Sequence, residues 1–353
     1  MNQFRRDSHF LPSLYLRKWS TDGTRVWLYR LLVSRHDVPD WKRASIKGIA
    51  YHQHLYTRIV AGSDSDEFER WLDAEFESPA KEALDKATSD RRLLANDWKR
   101  LIMFATSQDV RTPKKYIEHL QRWVDLMPNL LDDTLRNAVQ ELETSKQTGK
   151  EPKLPTTPPM EPIPLAVSTH IENGADQGIL KAEVVVGRQS WLSSMRYLLT
   201  NTARVLLQHK WTIIHAPDNL RWFTSDDPFI RLNYYKAGSY DFRGGWGNKG
   251  TELLLPLSPL HLLYTKVGQR SSLPVQIPAE TARLLQRMMA EHAHRFIISS
   301  QLDDSIPALR TRKVDPIAFQ QERNVWREWH KQQTDAEQAL ARKSDQAPAP
   351  NGG

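Results

Sequence analysis

The chain has 353 residues, and a hydrophobic fraction of 39% with 12 tryptophans is enough to fill one large domain or two modest ones. It contains no cysteine, which excludes disulfide bonds, thiolate catalysis, iron–sulfur clusters and cysteine-ligated zinc. No stretch approaches the roughly 18 uninterrupted apolar residues of a membrane span, and residues 1–8 are polar and basic, so we expect a cytoplasmic protein.

The net charge of +7 is concentrated in residues 1–60. Eleven Lys and Arg residues stand against four acids there, and this excess of seven equals the charge of the whole chain. Nine aromatic residues interleave with these bases, a composition that suits a surface for nucleic acid or another anionic partner. The alternative is that the aromatic side chains fill the core and the bases are solvated.

The first half of the chain is predicted to begin extended and to continue as helices. A turn at Asp22-Gly23 precedes an alternating strand over residues 25–30, and residues 46–59 contain one or two further short strands. Start signals and apolar spacing then predict helices that begin near residues 66 and 79, cover 93–105, begin at 112, and cover 131–142.

The second half begins after a proline-rich segment, residues 144–164, that we interpret as a linker or a long loop. Beyond it we expect a helix over 190–209, a glycine-rich loop over 238–250, and short strands near 211–215, 220–224, 252–257, 261–265 and 296–299. Further helices are predicted near 279–290 and 315–330. We expect residues 1–330 to form a single domain and residues 331–353 to be a disordered tail.

Helices cluster in the first half and strands dominate parts of the second, which favours an α+β fold over an alternating, doubly wound sheet. The sequence predicts a helical first half packed with a mixed or antiparallel sheet that N-terminal and C-terminal strands build together.

Five motifs occur in order along the chain, at residues 9–17 (His-Phe-x-Pro-x-x-Tyr-Leu-Arg), 49–56, 108–113 (Gln-Asp-Val-Arg-Thr-Pro), 223–228 (Phe-Thr-Ser-Asp-x-Pro) and 255–259 (Leu-Pro-Leu-Ser-Pro). They resemble the uncharacterised bacterial family called domain of unknown function 4238, over residues 9 to about 300. The resemblance implies one family domain with polar signature residues and no established reaction. Members of that family often carry Asn or another small polar residue at the position of Asp227, and Gln at that of Ser13.

Asp226 follows a predicted strand, so its carboxylate would project from a strand end and could act as a general base or bind a metal. The alternative is an Asx turn, because Asp near Pro commonly bonds its own backbone. Ser225 precedes it, and Asp227 would point to the opposite side of an extended backbone.

His9 is a candidate acid–base group because histidine exchanges protons near neutral pH, although a histidine among apolar neighbours is equally typical of a core. Arg111 precedes a helix start, where a phosphate or carboxylate would meet a guanidinium and free amide groups. The alternative for Arg111 is an ion pair with a nearby acid. Gln108 lies one turn earlier and could point toward the same place.

The spacing of His52 and His54 would place both imidazoles on one face of a strand, as suits a metal, but no third ligand stands nearby in the sequence. The alternative is two polar residues on an exposed strand face. No cofactor motif is recognisable, and the metal requirement stays open. Phosphate-binding Gly-rich loops, His-Glu-x-x-His motifs and serine nucleophile elbows are absent from the sequence.

Two functions with named residues remain open from the sequence, beside a third possibility, a purely structural partner protein. The first is a hydrolase or nuclease-like enzyme on a phosphate-containing or nucleic-acid substrate, with a cleft that gathers His9, Gln108, Arg111, Ser225 and Asp226. The alternative is a non-catalytic module that binds nucleic acid or another polyanion with its basic, aromatic N-terminal region.

Overall fold

The computed structural model describes residues 4–151, 165–171, 178–269 and 275–345. The chain divides into two compact units: residues 1–115 with 198–327 form the first, and residues 116–197 with 328–353 form the second. All five sequence motifs belong to the first unit. The stretch 116–197, expected within a single domain over residues 1–330, belongs to the second unit.

The strands of the described residues are short, and most have fewer than seven residues. In chain order they are β1 (Asp7–His9), β2 (Arg25–Arg30), β3 (Leu32–Val33), β4 (Trp41–Ser45), β5 (Tyr51–Gln53), β6 (Arg58–Val60), β7 (Ser63–Ser65), β8 (Leu165–Ile171), β9 (Gly178–Val184), β10 (Thr212–His215), β11 (Thr224–Ser225), β12 (Ile230–Lys236), β13 (Ser239–Asp241), β14 (Glu252–Pro256), β15 (His261–Lys266), β16 (Phe296–Ser299) and β17 (Lys313–Val314).

The helices lie mainly between the N-terminal and C-terminal groups of strands and at the C-terminal end. They are α1 (Ser13–Leu16), α2 (Glu67–Leu72), α3 (Lys81–Ala87), α4 (Ala95–Val110), α5 (Pro113–Thr148), α6 (Arg188–Tyr197), α7 (Ala279–His292), α8 (Ser305–Leu309), α9 (Pro316–Arg327) and α10 (Trp329–Asp345). None of the helices in the described ranges is both long enough and apolar enough to cross a lipid bilayer.

Two antiparallel sheets organise the first unit. One has five strands in the order β10-β15-β14-β12-β13, and the other has four in the order β11-β16-β2-β4. In the four-stranded sheet β2 pairs with β16, so that Leu28 lies opposite Ile298. N-terminal and C-terminal strands therefore share one sheet, and the predicted α+β fold is confirmed.

Helix α4 carries both core residues and the polar residues of the candidate site. Leu101, Phe104 and Ala105 are buried, as the predicted apolar stripe requires. Its last turn and the following link are also buried but polar, in the run Thr106, Ser107, Gln108, Asp109, Arg111 and Thr112. Because a buried polar group costs free energy unless it has a partner, this segment must find its partners inside the protein.

Helix α5 is one continuous element of 36 residues, where the sequence predicts a helix from residue 112 and a separate stripe over 131–142. Pro128 lies inside it and removes one amide donor, which is tolerated here without ending the helix. Residues 152–164, most of the predicted proline-rich linker, lie outside the described residues.

The second unit is held by a buried arginine. Arg188 is fully buried, and its guanidinium donates to Glu337 at 2.6 Å and contacts His330 Nδ1 at 2.8 Å. These partners belong to α10, which extends over most of the tail that the sequence predicts to be disordered. Trp329 and Leu340 are buried, and this apolar face explains why the segment is helical. Residues 346–353 lie outside the described part of the chain.

Candidate functional site

Asp226 leaves β11 and turns its carboxylate toward the chain at the start of β16. Its Oδ1 accepts the main-chain N–H of His294 at 2.9 Å, and its Oδ2 accepts that of Arg295 at 2.7 Å. Burial raises the pKa of Asp226 to about 7, although these two hydrogen bonds favour the charged form. The partners are distant in sequence, so this is not the Asx turn considered as the alternative.

Asp227 has a separate set of partners, as expected for adjacent side chains on extended backbone. Its Oδ1 accepts the hydroxyl of Thr112 at 2.8 Å, and its Oδ2 lies 3.2 Å from Lys114 Nζ, 3.8 Å from Lys115 Nζ and 3.4 Å from His292 Nε2. Burial opposes ionisation, but the charges of Lys115 and Lys114 hold the pKa of Asp227 below its usual value. Asp227 is therefore a buried carboxylate within a group of cations.

A second buried carboxylate, that of Asp109, lies near the group around Asp227, and we call the two carboxylates with Lys115 the polar centre. Its Oδ2 accepts the indole N–H of Trp246 at 2.6 Å, and its Oδ1 lies 3.8 Å from Lys115 Nζ and 3.6 Å from Arg231 Nε. Lys115 thus lies 3.8 Å from both carboxylates. Sequence reasoning missed Asp109 and Lys115, although Asp109 stands inside the motif at residues 108–113.

Ser225 and Gln108 are buried, and their side chains form hydrogen bonds inside the protein. The hydroxyl of Ser225 accepts the main-chain N–H of Asp227 at 3.2 Å, which stabilises the turn after β11. Gln108 is fully buried, and its side-chain amide donates to Ser107 Oγ at 3.1 Å. Its Oε1 has no hydrogen-bond partner among the described residues.

Arg111 is fully buried and held by an ion pair. Its guanidinium donates to Glu77 Oε1 and to the carbonyl oxygen of His9, both at 2.6 Å, while the Tyr56 hydroxyl donates to the Arg111 carbonyl at 2.6 Å. The geometry matches the alternative, in which Arg111 pairs with an acid, because no part of the guanidinium is open to a ligand.

His9 lies in a different place from Asp226. Its main chain contacts Arg111, but its half-buried side chain lines an acidic pocket of about 710 Å³ with Glu69, Asp73 and Glu77. Burial raises the pKa of Glu69 in this pocket to about 7. The structure thus brings His9 to Arg111 and places Asp226 in the lining of another pocket.

That other pocket has a volume of about 490 Å³, and four arginines line it: Arg30, Arg295, Arg323 and Arg327. Arg295 forms an ion pair with Glu322, with Nε 2.5 Å from Oε2. The guanidinium groups of Arg30, Arg323 and Arg327 make no hydrogen bond or ion pair within the part of the chain that the structure describes. We call this cavity the arginine pocket.

Aromatic rings form much of the remaining wall of the arginine pocket. His52 is stacked between Phe10, at a ring-centroid distance of 5.9 Å, and Trp326, at 4.2 Å. Burial lowers the pKa of His52 to about 4, and that of His294 in the same wall to about 4 as well. Both histidines are uncharged at neutral pH, so the arginines supply the positive charge.

The sequence contained a signal for one wall of this pocket. Phe319, Glu322, Arg323 and Trp326 of α9 line it, at positions i, i+3, i+4 and i+7 that share one helix face. A mixed aromatic and charged stripe is not a core pattern, and it could have marked a binding face.

The predicted pair His52 and His54 does not share one strand face. Strand β5 ends at Gln53, and His54 has a left-handed backbone with φ of 60°, which turns its side chain out of the strand alternation. The stacking of His52 between two rings also removes it from any site with His54.

Part of the basic, aromatic N-terminal region is engaged in the core or in ion pairs. Five of its aromatic residues are buried core, namely Phe10, Tyr15, Trp19, Tyr29 and Tyr56. Five of its bases form ion pairs with acids, namely Arg5, Lys18, Arg35, Arg43 and Arg58. The alternative in which the aromatic side chains fill the core thus describes a large part of the region.

Comparisons with known proteins support the family resemblance that the motifs indicate. No curated protein and no solved structure is similar enough to this chain to count as a match. The family described as "Protein of unknown function (DUF4238)" matches residues 8–303, which cover most of the chain and include every motif and the polar centre around Asp227. The chain therefore belongs to the DUF4238 family.

Proposed function

We propose that this chain binds a phosphate-containing ligand with an aromatic ring, such as a nucleotide, in the arginine pocket. The observation that carries the proposal is the group of three guanidiniums, of Arg30, Arg323 and Arg327, that line one cavity and have no partner among the described residues. Guanidinium groups bind phosphate oxygens through paired, charge-assisted hydrogen bonds.

The size and the walls of the pocket support a ligand of this class. Its volume of about 490 Å³ lies within the range of roughly 300–1,000 Å³ typical of small-molecule pockets. The rings of Tyr51, Phe319 and Trp326 in its lining are suited to stacking against a base.

Binding of AMP and of adenosine, measured by isothermal titration calorimetry, tests this proposal. AMP is expected to bind the wild-type protein and adenosine to bind much more weakly, because only AMP carries the phosphate. Arg323→Ala is expected to weaken AMP binding about tenfold, since a lost charge-assisted hydrogen bond is worth roughly 1.5 kcal/mol.

Arg35→Ala is the matched control, because Arg35 is an exposed arginine that does not line the pocket and should leave AMP binding unchanged. Equal affinity for AMP and adenosine, or equal losses in the two arginine variants, would contradict the proposal. A single-stranded oligonucleotide that competes with AMP would identify nucleic acid as the larger ligand.

Hydrolysis of the bound phosphate ester is a second candidate function, and Asp226 favours it. Asp226 lines the arginine pocket, and the pKa of its carboxyl is raised to about 7. Such a group can take a proton from water as the water oxygen attacks phosphorus and the ester bond breaks, and the proton then passes to the leaving alcohol oxygen. The pocket arginines would stabilise the charge on the phosphoryl group. From the sequence alone, Arg111 is the candidate residue to meet a phosphate.

For this activity we expect the release of inorganic phosphate from AMP to rise between pH 6 and pH 8. The rate rises with pH because a general base acts when deprotonated, and the pKa of Asp226 is about 7. Asp226→Asn is expected to lower kcat by about 10²- to 10⁴-fold. A pH-independent rate, or a rate that survives in a folded Asp226→Asn protein, would exclude this role for Asp226 and leave the binding proposal intact.

A further inference from the structure

Two histidines and one aspartate meet in the first unit, outside the arginine pocket. His215 at the end of β10 and His261 at the start of β15 are directly paired in the antiparallel register. Directly opposed residues project from the same face of a sheet. The two imidazole rings accordingly lie 5.1 Å apart, edge to face. Asp90, from the turn after α3, reaches both rings.

The distances in this cluster are short enough for the three side chains to share one ion. Asp90 Oδ1 lies 2.9 Å from His215 Nε2 and 3.1 Å from His261 Nε2, and all three atoms lie within 4.8 Å of one another. Metal bonds of about 2.0–2.2 Å at octahedral or tetrahedral angles place neighbouring ligand atoms about 2.8–3.6 Å apart. We propose that Asp90, His215 and His261 bind a divalent transition-metal ion of the zinc type.

The ring of His261 is held in place by its own turn. Its Nδ1 lies 2.7 Å from the hydroxyl oxygen of Ser258, and that oxygen also accepts the main-chain N–H of Leu260 at 3.2 Å. Main-chain hydrogen bonds run in both directions between Ser258 and His261, each at 3.2 Å. A hydrogen bond on one ring nitrogen orients the other nitrogen toward the metal, as is usual for metal-binding histidines.

Asp90 has an unusual backbone conformation and a side chain that solvent can reach. Its φ of 54° lies in the left-handed region, which Asp adopts more readily than most residues. Its side chain is 62% exposed and that of His215 is 36% exposed, so an ion can enter from solvent. The nearby cation Lys18 is paired with Asp85 at 2.6 Å and does not occupy the Asp90 carboxylate.

The donor set restricts the chemistry of the ion. Two imidazoles and one carboxylate are the ligands of open zinc sites and of non-haem iron sites, whereas Mg²⁺ and Ca²⁺ prefer oxygen ligands throughout. Three protein ligands leave at least one coordination position for water, because zinc takes four or more ligands.

Equilibrium dialysis of the chelator-treated, tag-free protein against Zn²⁺ tests the site. We expect one Zn²⁺ per chain, and Co²⁺ in its place should show visible absorption bands of a low-symmetry site. Asp90→Asn and His215→Ala are each expected to weaken Zn²⁺ binding at least tenfold, and Ser258→Ala about 10- to 100-fold through the loss of ring orientation. Asp90 is exposed, so its variant should remain folded, which urea unfolding verifies.

His36→Ala is the matched control, since His36 is an exposed histidine outside the cluster and should leave Zn²⁺ binding unchanged. Failure of the wild-type protein to bind stoichiometric Zn²⁺, or undiminished binding in both Asp90→Asn and His215→Ala, would overturn the proposal and leave the cluster as a surface ion pair. Arg323→Ala should bind Zn²⁺ as the wild type does, so this test is independent of ligand binding in the arginine pocket.

Discussion

Replacing Asp227 with Ala is expected to lower the free energy of unfolding by about 3–5 kcal/mol, the usual cost of removing one partner from a buried ion pair. The change would leave the Thr112 hydroxyl without its acceptor and would remove one of the carboxylates near the Lys115 ammonium, whose side chain is 9% exposed. Lys114 is more exposed and can turn to solvent, which limits the loss. Urea unfolding at pH 7, followed by far-UV circular dichroism, measures the change.

Asp125→Ala is the control for this prediction, because Asp125 is exposed and its loss should change stability by no more than about 0.5 kcal/mol. Asp227→Asn is expected to fall between wild type and Asp227→Ala, since the amide oxygen can still accept from Thr112. The folded pKa of Asp227 is lowered, so its stabilising contribution exists above the unfolded value of 3.8 and disappears as the pH falls below it. Equal stabilities of Asp227→Ala and Asp125→Ala at pH 7 would contradict the conclusion that the buried Asp227 carboxylate stabilises the fold.

The second large effect is expected for Arg111→Met, which should also lower the free energy of unfolding by about 3–5 kcal/mol. The variant leaves the Glu77 carboxylate and the His9 carbonyl oxygen without the donors that they have at 2.6 Å. The buried carboxyl of Glu69, already with a pKa raised to about 7, would also lose the opposing charge of Arg111. Urea unfolding again gives the measurement.

Arg92→Met is the control, since Arg92 is exposed and its loss should be nearly neutral. The double variant Arg111→Met, Glu77→Gln should lose less stability than the two single variants together, because the second change removes the uncompensated charge. An Arg111→Met protein with wild-type stability but no AMP hydrolysis would contradict the conclusion that Arg111 stabilises the fold. It would instead support the catalytic role that the position of Arg111 before a helix first suggested.

Local patterns predicted much of the fold. The apolar stripe over residues 93–105 became α4 over Ala95–Val110, and the alternating segment over 25–30 became β2. Such patterns predict helices and strands well, because each element buries one face and its own apolar spacing shows which face that is. The sequence predicted a helix from residue 112 and a separate helical stripe over 131–142, yet α5 continues through Pro128, because one missing hydrogen bond costs less than the rest of a long helix provides.

The position of Asp226 at a strand end also followed from local pattern. Its pairing with the amides of residues 294 and 295 did not, because those partners lie about seventy residues away along the chain. The same applies to Arg111, whose residue type suits a ligand and an ion pair equally. Only the approach of Glu77, 34 residues earlier, decides for the ion pair.

The amino-acid order alone established the α+β class, the family signature and the exclusion of cysteine chemistry, because composition, periodicity and motif order are properties of short segments. Folding decided which polar groups meet. The arginine pocket draws on β2, β16 and α9, and the cluster of Asp90, His215 and His261 draws on a turn and two strands. Such sites depend on sheet register and long-range packing, and a side chain's type does not specify which distant neighbour it will contact.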